Sequence, residues 1–369
     1  MSPDGGGPCA LGGRAGGGTV QHLDLSSPVV TRRIAVLTAG VVLLVLFGIL
    51  GTTLPVPYVA QVPGPTFNTL GDIKGEPIIS IQGREPNKVD GNLNLTTVGV
   101  SRGGVSLIQA VRGWFDREVS VVPEEAVYPP DRSPEETRKA NREAFLTSEQ
   151  AAQTVALGRL GYPVKVVVQG VADDSPSKGA LEEGDAIEAV DGVPTPDTDA
   201  LDKVLESIPG GSTVTVSYTR LGEPGTATVT TRAAEGRAGS LLGITILEQP
   251  SAPFDIDIQV QDVGGPSAGL MLTLGILDLV GPDDLTRGAV IAGTGTIDTR
   301  GTVGPIGGIP LKMVAAKDIG AELFLVPAGN CAEAVAAPDP GFPLARVATL
   351  DDALKALTDF EAGRTPAGC

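Results

Sequence analysis

A long run without a charged side chain lies near the start of the sequence, from Ile34 to Leu54. About 20 apolar residues are enough for a helix to cross the hydrocarbon core of a bilayer, where every backbone polar group must be satisfied within the helix. We therefore predict one transmembrane helix over residues 32–54. This run constrains the fold most, because it makes a membrane one of the environments in which the chain folds.

The orientation of this helix is predicted from the cations beside it. Arg32 and Arg33 precede the run, and the next basic residue is Lys74. The excess of positive charge on the leading side favours a cytoplasmic N-terminus, with everything after about residue 55 outside the cell membrane. A cleaved signal peptide is an open alternative, although the apolar run is long for one. The nearest cleavage-like site also has the bulky Tyr58 at its third-last position, where signal peptides have a small residue. The arginine pair could also belong to a twin-arginine export signal, which is a second alternative.

Charge and histidine content exclude several classes of site. The 369 residues carry a formal net charge of -17 and no Lys/Arg cluster, which argues against binding to nucleic acid. The single histidine, His22, lies in a Gly-rich segment (1–31) that we expect to be a disordered tail, so a Ser-His-Asp triad and a His-based metal site are both excluded. We predict no metal and no cofactor. Whether Cys331 and Cys369 pair is left open.

Two segments separate the membrane run from the next pattern. Residues 55–120 alternate short apolar runs with turn residues, which predicts a β-rich segment close to the bilayer. Residues 121–146 are predicted to be a linker that leads into a helix, and Ser133 and Glu136 have the spacing of a capping box. Whether residues 56–120 pair with strands near 240–260 is left open.

Residues 147–235 resemble a PDZ domain, which is a β-rich fold. The motifs that carry the resemblance are Ser175-Pro176, Gly179-Ala180-Leu181, Gly184-Asp185-Ala186-Ile187 and Val190-Asp191-Gly192. PDZ domains bind a chain end as an added strand, with backbone amides around its carboxylate. Leu160, Gly161 and Tyr162 are the predicted cradle, and the alternative is that they cap the preceding helix.

A candidate nucleophile, Ser267, lies in a glycine turn between a predicted strand and a long apolar helix. Pro266 suits the first turn of that helix. A hydroxyl at this place lies beside unpaired backbone N–H groups and the positive end of the helix dipole, which suits a developing oxyanion. Because proline has no N–H, the predicted donors are the backbone amides of Ser267 and of Gly264 or Gly265.

The turn and a second motif together resemble the Lon proteolytic domain, over about residues 250 to 355. Ser267 lies in Gly-Pro-Ser-Ala-Gly, and Lys312 follows a Gly-Gly pair by four residues. The resemblance implies an α/β fold, a Ser267–Lys312 dyad and a supporting role for Thr294. A lysine can act as the base if apolar surroundings disfavour its charged form, and Lys312 has apolar neighbours in sequence. We assign residues 236–360 to this domain and 361–369 to a tail.

The whole layout resembles the bacterial PDZ-containing Lon-like proteases. This resemblance implies an ATP-independent, single-pass membrane serine endopeptidase with protein or peptide substrates, and by analogy a homo-oligomeric ring. No GxxxxGK[ST] phosphate loop occurs in the sequence, so we expect no attached ATPase. Many ATP-driven Lon enzymes have an acidic residue at the place of Gly264 and glutamate at that of Thr296. Two alternatives are a non-catalytic membrane PDZ scaffold with a degenerate protease domain, and a small-molecule kinase.

Overall fold

The computed structural model describes residues 28–101, 104–234, 236, 238–260 and 263–369. The predicted disordered tail up to residue 27, with His22 and Cys9, lies outside the described residues. The described residues divide into two compact units. The first consists of one long helix with residues 54 and 106–108, and the second holds the remaining described residues.

Helices occur in both units, and their bounds are α1 Pro28–Thr53, α2 Leu107–Phe115, α3 Glu124–Val127, α4 Pro134–Arg159, α5 Thr198–Ser207, α6 Gly269–Val280, α7 Ile309–Asp318, α8 Cys331–Ala336 and α9 Leu350–Glu361. A short 3-10 helix covers Ala328–Asn330. In α1, residues Arg32–Thr53 have a mean hydropathy of 2.7, so this helix is long and apolar enough to span a membrane.

The strands before α4 are β1 Pro55–Val56, β2 Tyr58–Asn68, β3 Asp72–Ile73, β4 Glu76–Pro77, β5 Ile79–Gln82, β6 Asn92–Val100, β7 Val105–Ser106 and β8 Ser120–Pro123. Those that follow α4 are β9 Val164–Val171, β10 Ala186–Val190, β11 Val193–Pro194, β12 Thr213–Arg220, β13 Glu223–Thr230, β14 Arg232–Ala233, β15 Ser240–Leu241 and β16 Ile244–Pro250. The last group is β17 Asp255–Ile258, β18 Val290–Gly293, β19 Thr296–Ile297, β20 Val303–Gly304, β21 Leu323–Pro327 and β22 Leu344–Val347.

The main lobe, the described residues of 55–105, 109–159 and 251–369, is built on a mixed six-stranded sheet in the order β22-β21-β18-β6-β2-β8. The four strands from β22 to β6 are parallel, and β2 and β8 are antiparallel to their neighbours. Because side chains alternate between the two faces of a strand, the sheet contributes side chains to two cores, one on each face. One core holds Leu323 and Leu325 with α4, α6 and α9, and the other holds Phe324 and Val326 with α7 and α8.

Strand β5 pairs with β17, so residues 56–120 do pair with a strand near 240–260, which the sequence left open. Strand β6 also pairs with β18. Residues 55–123 supply strands to the same sheet as the C-terminal third, so they are not a separate juxtamembrane segment. The predicted tail is also part of this lobe, because Gly368 bridges to Ala345 and Cys369 forms a disulfide with Cys331. The two cysteines therefore join the chain end to α8.

Helix α4 begins at the predicted capping box, where Ser133 and Glu136 exchange side-chain and backbone hydrogen bonds. It continues to Arg159, beyond the predicted boundary at residue 146, and its buried face packs on α6 in the main lobe. The first part of the predicted PDZ region, residues 147–159, therefore belongs to the core beneath the C-terminal region.

The inserted lobe, residues 164–250, is a sheet in the order β13-β12-β10-β9-β16 with its own apolar core and helix α5. Its last strand, β16, lies beyond the predicted boundary at residue 235 and pairs antiparallel with β9. Strand β16 is thus an edge of the sheet, and α5 contacts it. Asp185 is fully buried in this lobe, where its carboxylate pairs with the guanidinium of Arg220.

Candidate active site

Ser267 lies in the turn that leads into α6. The helix begins at Gly269, so Pro266 precedes the first turn rather than opening it. Every residue of α6 is buried, which fixes the turn against the core. The Ser267 side chain is half-buried and therefore remains accessible.

Lys312 lies on α7, whose N-terminal cap is Gly308. Gly308 has a φ of 71°, and a Cβ at this position would come within 2.9 Å of Val98, so the cap favours glycine. Lys312 is only 3% exposed, among the buried residues Leu311 and Met313. The sequence predicted this apolar environment from the neighbours of Lys312.

The structure brings Ser267, Lys312 and Thr294 together. Lys312 Nζ lies 3.0 Å from Ser267 Oγ and 2.8 Å from Thr294 Oγ1. Thr294 is fully buried just after β18, and its hydroxyl donates to the Ser267 carbonyl oxygen at 3.1 Å. The N–H of Gly295 donates to the same oxygen at 3.0 Å. Thr294 therefore contacts the amine and also fixes the backbone of the serine.

Burial lowers the pKa of Lys312 from 10.5 to about 8, because the charged amine is removed from water. Within the described residues, no carboxylate lies within ion-pair distance of this amine. An ion pair would favour the charged form and oppose the effect of burial. The neutral amine is thus accessible near neutral pH, and it lies within hydrogen-bonding distance of a serine hydroxyl.

The structure shows whether two of the predicted oxyanion donors, the N–H groups of Ser267 and Gly265, already have an acceptor. The Ser267 N–H donates to no acceptor among the described residues. The Gly265 N–H, in contrast, donates to the carbonyl oxygen of Asn141 on α4 at 2.8 Å, so Gly265 is not an available donor and its predicted role is wrong. The role of Gly264 stays a prediction.

Sequence reasoning missed the contribution of α4 to this turn. Besides Asn141, the buried Ser148 donates its hydroxyl to the Pro266 carbonyl oxygen at 2.9 Å. The signal was weak, because Ser148 reads as an ordinary helix residue. It could have been suspected only from the position of α4 beside α6, which the sequence does not encode locally.

A cavity of about 370 Å³ opens beside the serine. Its lining carries no charged side chain, and it is formed by Pro266, Ser267, Thr296, Pro305, Ile306 and Gly307. Such a cavity suits a neutral side chain of a substrate next to the bond under attack.

The predicted carboxylate cradle at Leu160, Gly161 and Tyr162 is wrong. Their N–H groups donate to Ala156, Gly158 and Leu157, so they end helix α4, as the alternative held. The ring of Tyr162 packs edge-on against Phe254.

A different turn, residues 240–243, precedes the edge strand β16. The carbonyl oxygen of Leu242 accepts hydrogen bonds from Ser175 and Ser177, at 3.4 and 2.6 Å. Gly243 has a φ of 71°, and a Cβ there would come within 2.5 Å of Pro176. The N–H groups of Leu242 and Gly243 have no acceptor among the described residues. The signal for this site was the Leu-Leu-Gly run just before an apolar strand.

Two segments of the chain match known families. The family model described as PDZ domain matches residues 133–231, and the one described as Lon protease (S16) C-terminal proteolytic domain matches residues 256–357. These matches agree with the predicted resemblances in kind and in order along the chain.

Two curated relatives are similar to part of this chain. Lon protease of Phenylobacterium zucineum is 44% identical over 69 residues, which are 19% of this chain and 8% of that protein. Lon protease 2 of Bacillus subtilis is 35% identical over 109 residues, which are 28% of this chain and 19% of that protein. The chain therefore spans less than a fifth of the length of either relative.

Two solved structures are similar to part of this chain. The PDZ domains of SdrC-like proteins from Listeria monocytogenes and Listeria innocua are each 26% identical, with a TM-score of 0.21. Each match covers 22% of this chain, and 87% and 92% of those domains. The family matches confirm that the chain carries a PDZ domain together with a Lon-type proteolytic domain, preceded by a helix long and apolar enough to cross a membrane.

Proposed function

We propose that this chain is a membrane-anchored serine endopeptidase that works without ATP and cleaves extracytoplasmic or membrane-associated proteins. The observation that carries the proposal is the 3.0 Å distance between Ser267 Oγ and the buried amine of Lys312. The matched Lon-type domain supports a serine peptidase as the class of enzyme.

In the proposed mechanism, neutral Lys312 removes the Ser267 proton as Oγ attacks the substrate carbonyl carbon. The oxyanion that forms accepts a hydrogen bond from the Ser267 N–H, next to the N-terminus of α6. Protonated Lys312 then gives its proton to the leaving amine, and the acyl-enzyme remains. Water attacks this ester, with Lys312 again as the base, and frees Ser267.

Thr294 has a positioning role in this proposal. Its hydroxyl lies 2.8 Å from Lys312 Nζ and donates to the Ser267 carbonyl oxygen. One side chain thus holds the base and the nucleophile at a fixed separation, which lowers the entropic cost of reaching the transition state.

The inserted lobe supplies a site for substrate capture. An extended chain end can add to the edge of β16 at its first residues, opposite the partner strand β9, and the unpaired amides of residues 242 and 243 can hold its carboxylate. Further along β16, the Glu248 carbonyl already accepts a hydrogen bond from Thr154 on α4. Ile244 and Ile246 on β16, Val204 on α5 and Ile208 just after α5 are apolar and only partly buried against the core of this lobe, so this surface favours apolar side chains. The substrate class is therefore proteins that end in apolar residues.

Location outside the cytoplasm is supported by two features. Arg32 and Arg33 stand at the leading end of α1, which favours a cytoplasmic N-terminus. Cys331 and Cys369 form a disulfide, and disulfides persist in oxidising compartments. Assembly into a ring stays a prediction by analogy.

The proposal is tested with Ser267→Ala and Lys312→Ala, purified with their membrane helix. Each is expected to abolish cleavage of a fluorogenic peptide while thermal unfolding remains cooperative. Lys317→Ala is the matched control, because Lys317 is an exposed lysine on the same helix and should leave turnover unchanged. Normal turnover in Lys312→Ala would refute the dyad, and a wild-type protein that binds chain ends without cleaving any would favour the scaffold.

A further inference from the structure

Helix α2 exposes a strip of large apolar side chains, formed by Leu107, Val111, Trp114 and Phe115. Positions i, i+4, i+7 and i+8 of a helix fall on one face, so these four side chains form a continuous surface. Trp114 is 60% exposed and Phe115 is 86% exposed. Aromatic rings on the surface of a soluble domain are usually better covered than this.

The opposite face of α2 is already used. Ala110 and Gly113 are buried, and a Cβ at Gly113 would come within 2.5 Å of Val121 on β8. The helix therefore packs on the sheet through its small residues, and its large apolar residues point away from the protein. A helix that serves only to cover a core would bury its large apolar residues, whereas α2 exposes them.

The beginning of α2 lies beside the end of α1. Gly51, in the last turn of α1, has the side chain of Ile108 so close that a Cβ would lie 3.1 Å from it. The rest of α2 is tied to the same place by the chain itself, because α1 ends at Thr53 and Tyr58, five residues later, contacts Trp114. Five residues span at most about 17 Å. If α1 crosses a bilayer, the start of α2 is held at the level where the hydrocarbon ends.

The aromatic residues in this region are of the kind that prefers a membrane interface. Tyr58 packs edge-on against Trp114, with ring centroids 6.2 Å apart. Both residue types place an apolar ring in lipid and a polar group in water. The strip itself carries no charge, and Arg112 lies beside it on the same helix. An amphipathic helix of this composition suits the headgroup region of a bilayer.

We propose that the α2 strip inserts into the bilayer and forms a second membrane contact besides α1. This inference rests on the membrane anchoring in the proposed function. The occupant is lipid rather than a second copy of the chain, because the strip begins at the contact with the membrane helix and ends in Trp and Phe.

The sequence offers a direct probe, because Trp114 is its one tryptophan. The full chain, carrying Ser267→Ala to prevent self-cleavage, is placed in phosphatidylcholine vesicles with and without lipids brominated near the headgroup. The brominated lipids are expected to quench the Trp114 emission about twofold, and the emission should lie at shorter wavelengths than that of tryptophan in water. Phe115→Asp should reduce the quenching, whereas Leu221→Asp, at a fully exposed position on the hairpin after β12, should leave it unchanged.

A second variant of the same chain carries Trp114→Phe and Leu44→Trp, so its single tryptophan lies within α1. Its emission shows whether α1 alone is in the bilayer. Quenching by lipids brominated deep in the acyl chain at position 44, without any quenching of Trp114, would overturn the inference and leave the anchoring intact. No quenching at either position would overturn both. Emission at short wavelengths that depends on protein concentration and not on bromine would identify a second copy as the occupant, which also overturns it.

Discussion

In the proposed mechanism the pH dependence of cleavage follows from the burial of Lys312, since only its neutral amine can accept the Ser267 proton. With a pKa of about 8, the amine is neutral in roughly a tenth of the molecules at pH 7. Raising the pH removes the proton, so activity rises with pH and levels off above the pKa. Between pH 6 and pH 9 the neutral fraction, and with it kcat/KM, should increase about 100-fold.

The assay is kcat/KM for a fluorogenic peptide between pH 6 and 10 at constant ionic strength. A peptide with an uncharged side chain before the scissile bond is chosen, so that substrate binding adds no titration of its own. Lys317→Ala should show the same midpoint as the wild type. A flat profile would refute the role of Lys312 as the base, and a kcat/KM that still rises about tenfold between pH 9 and pH 10 would refute the claim that burial lowers its pKa.

Four further predictions concern stability, positioning and binding. Lys312→Met in a Ser267→Ala background should raise the melting temperature at pH 7. Below about pH 8 the folded lysine protein carries a buried charge that lowers its free energy of unfolding by about 3 kcal/mol. That free energy rises as the pH increases from about 8 to 10.5, because the folded protein has then lost the proton that the unfolded chain still holds. The difference in melting temperature between the methionine and lysine proteins should therefore shrink over that interval. Arg220→Ala leaves the Asp185 carboxylate buried without its partner and should destabilise the inserted lobe by about 3 kcal/mol, measured by denaturant unfolding. Ser148→Ala removes the hydrogen bond to the Pro266 carbonyl and should lower kcat about tenfold with KM little changed, whereas an equal loss in KM would point to general damage. A peptide with a free apolar C-terminus should bind the Ser267→Ala protein about tenfold more tightly than its C-terminal amide in fluorescence polarisation, and equal affinities would contradict capture of the carboxylate.

The candidate catalytic site was predictable because the features that define it are local in the sequence. Ser267 stands in a glycine turn before an apolar run, and the residues around Lys312 are apolar, so exposure and burial could be inferred from neighbours in the sequence. With His22 distant in sequence from both motifs, lysine was the remaining candidate for the base. The structure adds the distance between them, which depends on how α6 and α7 pack on opposite faces of one sheet.

The errors share a cause, which is that the partners of backbone groups come from distant parts of the chain. The N–H of Gly265 has no acceptor within its own turn, but it donates a hydrogen bond to the carbonyl oxygen of Asn141 on α4. The N–H groups of residues 160–162 looked like a cradle, but they end the helix before them. Likewise, no local pattern indicated that β16, after the predicted end of the lobe, completes the sheet beside β9.

The insertion of one lobe within another also constrains how the protein matures. Strand β6 hydrogen-bonds to β18, and Asn94 reaches the carbonyl of Ile291 across 197 positions of sequence. Contacts of such separation form late, because the intervening chain must be closed into a loop first. The inserted lobe shortens that loop when it folds by itself, since it brings residues 164 and 250 together on paired strands. The sheet that places Ser267 and Lys312 therefore cannot form until residues 290–327, which hold β18 and β21, have been synthesised, so any cleavage by the proposed dyad must follow the synthesis of those strands.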